Sequence, residues 1–225
     1  MERPIDLELK KLKEQLLCMA GEVEQQLSLA VRSLVERDSQ AAQEVIAADE
    51  RVDRREKEVD HTAVEIIVRE RPLASDLRLV ITATKIAPDL ERVGDHAVNI
   101  AEQALVLNRM PPLKPFVTLP RMADIAKEMV RQALTAYIEH DASLARQVIV
   151  RDDVVDALHE EVFRELLTYM LGDPQTIPRA LALILISRSL ERIADQATNI
   201  AEQVVYLVEG QDIRHVHGGE DAGAL

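Results

Sequence analysis

Apolar residues recur at steps of three and four along most of the chain, the spacing that gathers them on one side of a helix of 3.6 residues per turn. Leu9, Leu12, Leu16, Met19, Val23, Leu27, Ala30 and Leu34 predict a first helix from Asp6 to Glu36. Ser39, with Asp38 before it, is the expected cap of a second helix whose apolar positions include Val45, Val52, Val59, Ala63 and Ile66. That helix should end near Pro72, because the residue before a proline is pushed out of the α region. Ser75 is the next candidate cap. Leu79, Ala83, Ile86, Leu90, Val93, Ala97, Ile100, Ala104 and Leu107 then form the continuous seam of a long third helix. Pro88 falls inside it, where a missing N–H and a ring clash should bend the helix or mark a local irregularity.

The segment Asn108–Thr118 carries three prolines and breaks the pattern. Beyond it the pattern repeats: Met122, Ile125, Met129, Leu134 and Ile138 mark a fourth helix, a fifth runs from about Ser143 to Leu171, and LGDPQTIP makes a turn. Leu183, Ile186, Leu190, Ile193, Ala197, Ile200, Val204 and Leu207 give the sixth helix the seam of the third. The expected fold is all-α, two similar three-helix bundles side by side. Residues 1–108 would form the first bundle, 109–117 a proline-rich linker and 118–210 the second bundle. Residues 211–225, which include His215 and His217, have no periodicity and should be a disordered tail.

Composition sharpens this picture. Seven Gly, no Trp and five Phe or Tyr among 225 residues argue against sheet and for helix. A lone Cys18 gives no disulfide framework, which fits a reducing compartment. No segment approaches the roughly 20 apolar residues of a membrane helix, and the expected location is the cytoplasm with no direct membrane insertion. A net charge of −13 repels phosphate backbones and the few aromatics offer no stacking platform, so nucleic acid is excluded as a partner.

Candidate chemistry comes from a repeat. Glu91–Gln103 (ERVGDHAVNIAEQ) and Glu191–Gln203 (ERIADQATNIAEQ) match at nine of thirteen positions, one hundred residues apart. Each carries an acid, a second acid four on and an amide four on again: Glu91, Asp95, Asn99 and Glu191, Asp195, Asn199. These stand in one stripe along a helix. The second and fifth helices align at an offset of 103, with Asp49, Asp53 and Glu56 matching Asp152, Asp156 and His159. Asp49, Asp53, Glu56 and Asp60 lie within about 60° of arc, on the shoulder of the apolar face, where a purely solvated charge run is not expected.

If the second and third helices form an antiparallel hairpin turning near Leu73–Ala74, residues whose numbers sum to about 147 are level with each other. Glu56 then falls beside Glu91, Asp53 beside Asp95 and Asp49 beside Asn99. The second hairpin pairs His159 with Glu191, Asp156 with Asp195 and Asp152 with Asn199. Carboxylates converging this way repel one another, and a bound cation removes that cost. The all-oxygen first site suits Mg²⁺, Ca²⁺ or Mn²⁺, whereas His159 lets the second admit Fe, Ni or Zn. The competing reading is a surface salt-bridge face, with Arg92 and Arg192 pairing the acids at modest value. A di-iron enzyme would need two Glu-x-x-His pairs, and only Asp156-x-x-His159 is present. No Ser/His/Asp grouping, phosphate loop or nucleophilic Cys supports catalysis, so no enzyme is expected. A metal-free interaction scaffold is the other alternative.

ASDLRLVITATKIAPDLERVGDHAVNIAE and GDPQTIPRALALILISRSLERIADQATNIAEQVVYLVEG, followed by DIRH, resemble the PhoU family of phosphate-signalling accessory proteins. The resemblance implies paired three-helix bundles whose Glu/Asp-x-x-x-Asp motifs can hold metal ions (Fe, Mn, Zn, Ni or Mg), multinuclear clusters included. Here the motifs are Glu91-x-x-x-Asp95 and Glu191-x-x-x-Asp195, facing Asp49-x-x-x-Asp53, Glu56-x-x-x-Asp60 and Asp152-x-x-x-Asp156. Phe163 stands where Asp60 has its counterpart, so the two sites are not equivalent. The resemblance also implies negative control of phosphate uptake and of the phosphate-starvation response. The expected partners are the ATP-binding subunit of the phosphate ABC transporter and a sensor histidine kinase; the chain itself is expected to be a homodimer.

Overall fold

The structure, a computed structural model, describes residues 3–210 and Ile213. The expected disorder of 211–225, with His215 and His217, otherwise lies outside the described residues. Six α-helices follow in order: α1 Pro4–Val35, α2 Ser39–Glu70, α3 Ala74–Asn108, α4 Thr118–Glu139, α5 Ala142–Gly172 and α6 Ile177–Glu209. A short 3₁₀ turn, Pro174–Thr176, joins α5 to α6. Each stops where the local chemistry dictates. Arg71 and His140 end α2 and α4 in the left-handed region (φ 48° and 57°), and Gly210 ends α6 at φ 71°. α3 runs unbroken through Pro88.

The caps differ from the expected ones by one residue at α2 and by two at α3. Asp38, not Ser39, caps α2, its carboxylate accepting from the backbone N–H groups of Gln40 (3.0 Å) and Ala41 (3.1 Å). Asp141 does the same for α5 through Leu144. Ser75 caps nothing; α3 begins after Leu73 with no side-chain cap. Beside the α2 cap, the Arg37 guanidinium donates to the carbonyls of Leu107, Asn108 and Met110, which closes the C-terminal end of α3. Asp38→Ala should cost about 1 kcal/mol, seen as a lower urea midpoint with an unchanged slope. An unaltered midpoint would mean that the Arg37 contacts hold this corner alone.

Within each half the three helices pack on one another, and the halves meet where α3 packs along α6, with a smaller contact between α1 and α4. Lys85 of α3 lies over the Tyr206 ring of α6 (5.5 Å), while His96 of α3 senses Arg192 of α6. As α3 numbers rise, α6 numbers fall, so the two central helices are antiparallel. Buried side chains from all six helices form one continuous apolar cluster. Residues 109–117 belong to this packing: Leu113 and Phe116 rest on the core, and Lys114 pairs with Glu165. Among the described residues, no helix is long and apolar enough to cross a membrane.

Candidate metal sites in two acidic grooves

Because α2 and α3 share a hairpin, their apolar faces turn toward α1 and leave the flanking acids in a groove between them. Asp49, Asp53, Glu56 and Glu91 are half-buried there, with Asp60, Asp95 and Asn99 exposed at its edge. Burial, then Asp95, Glu56 and Asp53, push the Glu91 carboxyl up to about 7. Burial followed by Asp95 and Asp53 raises Asp49, and burial followed by Asp60 and Asp53 raises Glu56. The pairing of Glu56 with Glu91 is as the hairpin count predicts. Asp49 also lies within electrostatic reach of Asp95.

The α5–α6 groove repeats this. Asp152 is pushed up to about 7 by burial, then by Asp156, Asp195 and Glu191. Burial and Asp195 raise Glu191, against the opposing pull of Arg192 and His159. Burial also raises Asp195, Arg192 opposing it and Asp156 adding to it. His159 therefore stands near Glu191 and Asp156 near Asp195, as counted, and Asp152 also lies within reach of Asp195. Asn199 approaches Gln196 of its own helix at 3.5 Å.

The two arginines at matching positions behave differently. Arg92 pairs with Asp89 (2.8 Å) and acts on Glu91 and Glu56 of the first groove only as an opposing pull at longer range; among the described residues no ion pair joins Asp49, Asp53, Glu56, Asp60, Glu91 or Asp95 to a base. Arg192 instead pairs with Asp195 (3.0 Å) and Glu191 (3.4 Å), so the second groove is partly neutralised. Asp89 is a buried acid that periodicity did not single out; burial lifts it to about 6 against the pull of Arg92. Its counterpart is Ser189, so the repeat could have flagged it as a difference between the halves.

A cation fits the chemistry of both grooves. In the α5–α6 groove Asp152 Oδ1 is buried and accepts no hydrogen bond, the condition an ion would relieve, while Glu191 Oε2 has only its 3.4 Å ion pair with Arg192. His159 Nδ1 lies 3.0 Å from Ser187 Oγ, and that hydroxyl already donates to the Ile184 carbonyl (2.9 Å). Nδ1 then carries the proton and Nε2 the free lone pair, the arrangement a metal-ligating imidazole needs. In the first half this pair becomes Glu56 and Ala87. Among the described residues, no three His, Cys, Asp or Glu side chains stand close enough together to hold an ion as placed. The grooves thus provide carboxylates in electrostatic reach of one another, and ligation would require their side chains to rotate inward.

A family model described as the PhoU domain matches residues 16–104 and again 119–204. The chain belongs to the PhoU family. It is 42% identical over 217 residues to a Pseudomonas putida phosphate-specific transport system accessory protein PhoU homolog, covering 96% of this chain and 85% of that one. Escherichia coli (strain K12) has the phosphate-specific transport system accessory protein PhoU, 38% identical over 213 residues, 95% of this chain and 88% of the relative. The fold is similar to that of PhoU from Pseudomonas aeruginosa, with a TM-score of 0.87 at 41% identity over 92% of this chain and 99% of that one. The phosphate transport system regulatory protein PhoU from Streptococcus pneumoniae gives 0.85 at 28% identity, over 93% and 99% of the two chains. These PhoU relatives are named for accessory or regulatory roles.

Proposed function

We propose that this chain is a cytoplasmic accessory protein of the phosphate transport system that restrains phosphate uptake and the phosphate-starvation response. It would act as an adaptor between the transporter's ATP-binding subunit and a sensor histidine kinase, as a homodimer, with metal ions in its two grooves. The observation that carries the reading is the match of both repeats to the PhoU domain, with relatives of that name aligned over nearly the whole chain. Asp49, Asp53, Glu56, Asp60, Glu91, Asp95 and Asn99 would hold ions in the first groove; Asp152, Asp156, His159, Glu191, Asp195 and Asn199 would do so in the second. A bound ion would neutralise the facing carboxylates and fix each hairpin pair. Deleting the gene should raise expression of phosphate-starvation genes in phosphate-rich medium, and unchanged expression would overturn the regulatory reading.

A metal-free scaffold is the second reading, favoured in the α5–α6 groove by the ion pairs of Arg192. Elemental analysis of purified protein separates the two. Glu91→Ala with Asp95→Ala should lower metal content if ions are held; content at background in the unaltered chain would leave the scaffold.

A further inference from the structure

The acidic grooves do not account for a third polar feature, a cleft on the opposite flank of α2, facing α1. A cavity of about 300 Å³ there is lined by Glu22, Gln25 and Gln26 of α1 and by Glu44, Ala48 and Arg51 of α2, among others. Gln26 is 3% exposed, and neither Oε1 nor Nε2 of its amide has a partner. Glu22 gives one carboxylate oxygen to Arg55 (3.0 Å), while its Oε2 is buried without a donor. Three unmet polar atoms at one place are a standing cost to the fold.

The internal repeat acts as a control. The matched segments begin at 16 and 119, so α1 maps onto α4 by the offset of 103 that already aligns α2 with α5. Gln26 becomes Met129, which is fully buried; Glu22 becomes Ile125 and Arg51 becomes Val154. Gly94 becomes Ala194, and a Cβ added at Gly94 would stand 3.2 Å from Gln26 Oε1, so the glycine leaves room for the amide. Ala48 becomes Arg151, whose guanidinium crosses to Gln132 (3.3 Å) and occupies the corresponding groove. The same architecture is therefore built without the buried amide and with the groove filled. Local choices that work against stability in one copy alone mark a functional site.

Charge and size identify the ligand class. Once Arg55 neutralises Glu22, one acid, Glu44, and one base, Arg51, remain around the cleft, and among the described residues Arg51 has no ion pair. Glu44, which also accepts from Gln40 Nε2 (3.4 Å), and Arg51 stand at the exposed mouth, so the cleft offers a ligand one charge of each sign. The volume lies at the lower end of small-molecule pockets, about 300–1,000 Å³. We propose that the α1–α2 cleft binds a small zwitterion of free-amino-acid size, its ammonium on Glu22 Oε2 and Glu44, its carboxylate on Arg51, and the Gln26 amide completing the hydrogen bonds. This site is independent of the metal reading.

Calorimetric titration of the full chain with each proteinogenic L-amino acid in turn tests it. At least one should bind, Arg51→Val should weaken that binding at least about tenfold, and Gln26→Met should abolish it while raising the ligand-free melting midpoint. Absence of heat with every amino acid would overturn the proposal, as would binding that survives Arg51→Val. A lower midpoint in ligand-free Gln26→Met would also overturn it, because the amide would then be satisfied by solvent in a structural role.

Discussion

Tyr137→Ala is expected to lower the melting midpoint by about 10 °C. Tyr137 is the largest fully buried side chain, on α4, and its hydroxyl donates to the Leu79 carbonyl at the start of α3 (3.2 Å). Removing a buried aromatic side chain costs about 3–5 kcal/mol, and in a chain of this size each kcal/mol moves the midpoint by about 2–4 °C. Tyr137→Phe keeps the packing and loses only the hydroxyl, so it should cost about 1 kcal/mol. The contact joins one half to the other across a shared core, so calorimetry should show one transition in the parent and in both variants. Two separated transitions would show that the halves unfold independently, against the continuous cluster of buried side chains.

The second large effect is a response to pH and metal that runs in opposite directions with and without ions. Glu91 and Asp152, each pushed up to about 7, titrate in the folded state well above their unfolded values of 4.5 and 3.8. Below about pH 3, under both unfolded values, both states carry the proton and the cost is absent. As pH rises the unfolded chain ionises first while the folded one holds its protons, so metal-free protein loses stability between about pH 4 and pH 7. Both carboxylates are partly exposed and water screens part of this cost. Metal-free protein should therefore melt a few degrees higher at pH 5.5 than at pH 8. Glu91→Gln should flatten that slope. A divalent ion at one hundred times its dissociation constant should add about 2.7 kcal/mol, and more at pH 8 than at pH 5.5, because protons compete for the same oxygens. A metal-free slope of the opposite sign would refute the repulsion seen in the grooves. A midpoint indifferent to Mg²⁺, Mn²⁺ and Zn²⁺ would refute ligation.

Much of this was legible along the chain. A period near 3.6 gathers Leu9 to Leu34, or Leu183 to Leu207, on one face whatever surrounds it, so helix number, order and approximate limits follow from spacing. The acidic stripes follow likewise, since positions four apart must share a face, and hairpin counting brings the right helices together. The side-chain rotamers in each groove are not legible in the count, because they depend on how side chains interlock and on how the connecting turn closes. The α2 cap fails by one residue for a related reason. Asp38 and Ser39 are both competent, and the backbone path at Arg37 decides which carboxylate or hydroxyl meets the free N–H groups.

The sequence by itself determined six amphipathic helices, their duplication and the facing of acid upon acid, because these depend on residue spacing within one element or across one short turn. Only the tertiary structure decided that the two bundles share one core, that Arg192 neutralises its groove while Arg92 pairs with Asp89, and that Gln26 lies buried without a partner beside Gly94. Each depends on which atoms of distant segments, or which rotamers of neighbouring ones, come within a few ångströms. Periodicity carries no information about that.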